Sequence, residues 1–127
     1  MAALEKIAQL DEGSEKIYAT RPIDLVHLSR QSLGDAGLEA EILRMFDQMV
    51  TTYMSKIRQS MDFDETLLNL HALKGASAGV GANNIAILAK AAELETKLAG
   101  KLSHECLADL RMAVEEVRHF IAEILDE

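Results

Sequence analysis

Apolar residues near the C-terminus fall at Leu107, Leu110, Val114, Val117, Ile121 and Ile124. This 3-4-3-4-3 spacing puts all six on one narrow stripe of a helix, as a bundle seam requires. Ser103 stands where that helix needs an N-cap. Leu38, Ile42, Met45, Phe46, Met49, Tyr53 and Ile57 repeat in the same way and predict a helix over Leu38–Ser60. Asp62 and Glu65 have the spacing of a capping box, so the next helix starts near Phe63 and runs to Ala78, where Gly79-Val80-Gly81 loosens the backbone. Asn83 or Asn84 is placed to cap a further helix ending at Ala99, with Gly100 as its stop.

The region before residue 38 is less regular. Pro22 suits the first position of a short helix, Ile23–Leu33, which Gly34-Asp35-Ala36-Gly37 then breaks. Ala2–Leu10 has the make-up of another short helix, followed by a polar connector over Asp11–Thr20. Connections of a few residues favour antiparallel neighbours. The pattern predicts an all-α chain, an antiparallel up-down-up-down four-helix bundle with a short N-terminal helical cap. Residues 1–22 form the N-terminal helix and connector, and residues 23–127 the bundle.

Composition narrows the class without naming a function. A length of 127 residues suits one domain, and 49% hydrophobic with 27% charged residues describes a globular chain. The balance of 13 Lys+Arg against 21 Asp+Glu gives a net charge of −8, which argues against a nucleic-acid binder. The single cysteine, Cys106, has no partner for an internal disulfide and suits a reducing cytoplasm. The N-terminus lacks the basic start and apolar stretch of a signal peptide, and no apolar run is long enough to span a membrane. His27, His104 and His119 lack paired metal-ligand spacing and read as solvated surface groups; no metal site is expected. Met45, Met49 and Met54 read as core filler.

The chemistry gathers on the helix that starts near Phe63. Projected at about 100° per residue, Phe63, Leu70, Leu73, Ala76, Ser77 and Val80 form the inner face. His71 lies about 140° from the centre of that face, beside Asp64, Leu67, Leu68, Gly75 and Ala78. An exposed glycine inside a helix costs about 1 kcal/mol relative to alanine, so Gly75 answers some other demand. One turn beyond His71, its missing side chain leaves room on the ring, and Lys74 supplies a cation. Such a site suits a nucleophile that accepts an anionic group. Leu67 and Leu68 add an apolar patch fit for a protein partner. On spacing alone, a surface histidine near a lysine is commonplace.

The run His71-Ala72-Leu73-Lys74-Gly75, with Gly81 six residues further on, resembles the signature of histidine-containing phosphotransfer (HPt) domains. The likeness extends to Leu88 and Glu93-Leu94-Glu95 and to the layout of residues 23–60. It implies that His71 accepts a phosphoryl group on Nε2, that Lys74 stabilises phosphoryl oxygens, and that Gly75 keeps access open. Glu93 stands where family members carry a Glu or Gln against the ring, as in chemotaxis-kinase phosphotransfer domains. Lys90, one turn before Glu93, would add positive charge. The implied partners are receiver domains of hybrid histidine kinases and response regulators, which would supply Mg²⁺; no cofactor of the chain's own is implied. The implied protein is a cytoplasmic monomer, a phosphohistidine carrier. The chain shows no P-loop or other nucleotide motif and hence no ATP chemistry. The alternative is a helical module that docks receivers without being phosphorylated.

Overall fold

The computed structural model describes residues 21–60 and 62–126. The expected helix over Ala2–Leu10 and the connector Asp11–Thr20 lie outside the described residues. Among the described residues there are five helices and no strands: α1 (Leu25–Gln31), α2 (Ala36–Gln59), α3 (Phe63–Val80), α4 (Asn83–Ala99) and α5 (His104–Leu125).

Side-chain caps fix most of the helix starts. Asp24 accepts from the Val26 and His27 amides, Asp35 from Leu38, Asp62 from Asp64 and Ser103 from Cys106. Each satisfies an amide that the first turn leaves without a carbonyl. Four expectations change in detail. Asp24, not Pro22, sets the start of α1. Gly37 lies inside the first turn of α2, because Asp35 in the presumed break is already a cap. Asp62 caps α3, but its own amide donates to Ser60 Oγ, so Glu65 does not close the box. The N-cap of α4 is Ala82, with no side-chain hydrogen bond, and Asn83 is the first helical residue. Gly100 ends α4 in the left-handed conformation, as expected.

Helices α2 to α5 close a ring in which each packs on its chain neighbours and α5 returns to α2. Ile57 and Arg58 at the end of α2 share a cleft with His104 and Leu107 at the start of α5. Arg44 and Asp47 share another with Arg118 and Ile121. Those pairings make α2 and α5 antiparallel. The core holds Leu43, Phe46 and Val50 from α2, Leu70 and Leu73 from α3, Ile85 and Ala89 from α4, and Leu110, Val114, Val117 and Ile121 from α5. Ile23 and Leu28 plug α1 against it.

Several apolar positions differ from the pattern. Phe63 is exposed, because at the first position of α3 it overhangs the end of the bundle. Thr66 and Asn69 occupy the inner face instead. Both bond back to carbonyls one turn earlier, which satisfies their polar groups inside. Met45 and Met49 are exposed while Met54 is buried, since the α2 stripe is narrower than the residue types suggest. Ile124 is likewise exposed, at the C-terminal end of the α5 stripe.

Candidate functional site

His71 sits midway along α3 with its side chain 67% exposed. Its outward aim follows from the burial of Leu70, Leu73 and Ser77 on the same helix. Glu93 faces it from α4 and is the opposite case, with its side chain only 11% exposed. Glu93 Oε2 lies 3.4 Å from His71 Nδ1, and Oε1 lies 3.4 Å from Lys74 Nζ. Because Nδ1 is the ring atom turned to the carboxylate, Nε2 is left on the solvent side.

Burial works against the charge on Glu93 and would raise its pKa. The Lys74 ammonium and then the His71 ring outweigh that, and the carboxyl is held below the ordinary glutamate value. Oε1 is buried and makes no aligned hydrogen bond, so Lys74 compensates it as an ion pair. The surface beside the ring is clear: a Cβ built on Gly75 would meet nothing within 4 Å. No neighbour inside the molecule therefore requires glycine there.

Other residues singled out from sequence are distributed unevenly. Asp64, Leu68 and Ala78 are exposed on the outer side of α3. Leu67 is half-buried, so the two-leucine patch reduces to Leu68, which is 69% exposed. Lys90 is exposed, and the α4 lysine paired with Glu93 is Lys97, 3.7 Å from Oε2 and one turn after it. Sequence reasoning missed Lys97, although its i,i+4 spacing from a glutamate is a recognisable pairing signal. His27 is not a solvated histidine. Its Nε2 lies 2.9 Å from the Gly79 carbonyl and donates to it, tying α1 to the last turn of α3. His119 pairs with Glu123 at 2.9 Å on the surface of α5.

Among the described residues no group of three His, Cys, Asp or Glu side chains is arranged to hold a metal ion. No described helix is long and apolar enough to cross a membrane. Cys106 is half-buried, and burial followed by the nearby Glu95 carboxylate raises its thiol pKa, which makes it a poor nucleophile.

No curated protein matches the chain in a sequence search. A family model described as the Hpt domain does match, over residues 41–120. That span runs from the first turns of α2 into α5 and takes in His71, Lys74, Gly75 and Glu93. The chain belongs to the Hpt domain family.

Proposed function

We propose that this protein is a phosphohistidine carrier of a multistep phosphorelay, accepting a phosphoryl group on His71 from one receiver-domain aspartate and passing it to another. One observation carries the reading. The ring presents Nδ1 to a nearly buried carboxylate and Nε2 to solvent, beside a lysine and an unobstructed glycine.

In the transfer, Nε2 attacks the phosphorus of an aspartyl phosphate in line. The P–O bond breaks and its electron pair leaves with the aspartate as the P–N bond forms. The proton on Nδ1 stays facing Glu93, whose negative charge balances the positive charge that develops on the ring. Lys74 offsets charge on the phosphoryl oxygens. Catalysis of this kind is positioning and charge neutralisation. The receiver supplies the Mg²⁺ that its own acyl phosphate requires, and the chain contributes no ATP chemistry. The outer side of α3 around His71, with Asp64, Leu68, Gly75 and Ala78, is the docking face, with Leu67 at its edge and Lys90 across on α4. In this reading the protein acts in the cytoplasm, where its receivers are, and works as a monomer.

The test is incubation with a phosphorylated receiver domain, wild type beside His71→Gln. An acid-labile, base-stable label should appear on wild type alone. A wild type that binds the receiver and takes no label is a docking module and not a carrier.

A further inference from the structure

Glu93 has more cationic neighbours than one carboxylate needs. Lys74 approaches from α3 at 3.4 Å, beside the His71 ring at the same distance, and Lys97 approaches from the next turn of α4 at 3.7 Å. The two lysines use different oxygens: Lys74 is on Oε1, and Lys97 shares Oε2 with the histidine ring. They also differ in setting. The Lys74 side chain is 30% exposed and drawn in over the seam, whereas that of Lys97 is 57% exposed.

A phosphoryl group on Nε2 would lie on the solvent side of the ring, away from Oε1. To meet its oxygens, Lys74 would turn outward from Oε1, where it now lies at 3.4 Å. A carboxylate as buried as Glu93 cannot lose a counter-ion without cost, because little water reaches it. Oε1 has no hydrogen bond to fall back on. The titratable and charged groups facing Glu93 are the His71 ring and the Lys74 ammonium from α3 and the Lys97 ammonium from its own helix. Of these, only Lys97 is neither the acceptor nor the lysine that must move.

We propose that Lys97 is a positioning residue, the reserve counter-ion that stays with Glu93 and so frees Lys74 to turn to a phosphoryl group on His71. This rests on the reading of His71 as the acceptor. Two cations on one carboxylate make the exchange possible, since one is released while the other keeps the carboxylate charged and facing Nδ1. The contact of Lys97 is with Glu93, and it acts on the ring through that carboxylate.

The experiment has two arms on the full chain. In the first, the Glu93 side-chain carboxyl is followed through a pH titration by carbon-13 NMR, without phosphate or partner. Lys74→Met imitates a departed Lys74. With Lys97 present, Glu93 should stay ionised to lower pH than in the Lys74→Met/Lys97→Met double variant, by about half a pH unit. Lys97→Arg in the Lys74→Met background should restore the single-variant midpoint. Equal midpoints for the single and double variants overturn the proposal.

In the second arm, phosphoryl acceptance from a phosphorylated receiver is timed. Lys97→Met should slow it about two- to fivefold, the range of a partly exposed ion pair. Lys97→Arg should accept at the wild-type rate. So should Lys101→Met, which removes the same charge from the connection to α5. Equal slowing by Lys97→Met and Lys101→Met reports net charge only and overturns the proposal. A wild type that accepts no phosphoryl group overturns the acceptor reading and this proposal with it. A wild type that accepts it, with Lys97→Met unimpaired, overturns the proposal alone.

Discussion

Gly75 and Gly81 lie six residues apart on one helix and are glycines for opposite reasons. Gly81 ends α3 at φ +87°, and a Cβ there would meet the backbone oxygen of Asp24 at 3.1 Å. Its own carbonyl accepts from the Asp24 amide at 2.9 Å. Conformation and neighbour both require glycine, and both are internal to the fold. Gly75 has ordinary helical surroundings and empty space where a side chain would be. Folding alone would favour alanine there. A residue that the fold disfavours and no neighbour demands points outward, to something that must come close to His71.

The sharpest way to break this contrast is to substitute both glycines with alanine. Gly81→Ala should destabilise by about 2 kcal/mol, the cost of a left-handed non-glycine residue with a tight contact. A chemical denaturation midpoint reads it. Gly75→Ala should move the same midpoint the other way by about 1 kcal/mol. Gly75→Gln should keep helicity by circular dichroism and yet slow phosphoryl acceptance, because its side chain fills the space beside the ring. Equal acceptance by Gly75→Gln and wild type would return Gly75 to an accident of sequence.

Acid should separate the inward and outward parts again. The folded state holds Glu93 below its ordinary pKa, so the stability this contributes is complete above the unfolded-state value. It is lost as the pH falls through the lower folded value. Wild type should therefore lose more stability than Glu93→Gln across that window, measured by urea unfolding at successive pH values. The smallest effect belongs to the Asp47–Arg118 pair. It joins α2 to α5 at 3.0 Å, but both side chains are at least one-third exposed. Arg118→Ala should cost about 0.5 kcal/mol. This pair is shorter than any contact of Glu93 and still matters less, because water already compensates both charges.

Much of this is legible in the sequence. The helices follow from three- and four-residue spacing, and Ser103 and Asp62 announce their starts. His71, Lys74 and Gly75 follow from residue types and one helical projection. Glu93 came only from the resemblance, since nothing local says that α4 turns that carboxylate under the ring. Lys90 and Lys97 flank Glu93 at three residues before and four after, and on a bare helix either could pair with it. The pairing goes to Lys97, with its Nζ 3.7 Å from Oε2. The start of α4 departs from the sequence pattern because asparagine is a favoured cap, whereas Ala82 stands at the N-cap and makes no side-chain hydrogen bond. The bond of His27 is not legible in the sequence, because its partner is 52 residues away, beyond any local pattern.

That distant bond has a dynamic consequence. The Asp24 amide on Gly81 and the His27 ring on Gly79 clasp α1 to the closing turn of α3 at two points. Fraying of that turn must undock α1, and release of α1 must bare the turn. Amides from Ala78 to Ala82 and those of α1 should thus exchange with deuterium as one cooperative unit. Removing the His27 ring should speed both sets together while the middle of α3, under His71, keeps its protection. The helix that bears the histidine is latched at one end by a segment outside the four-helix ring.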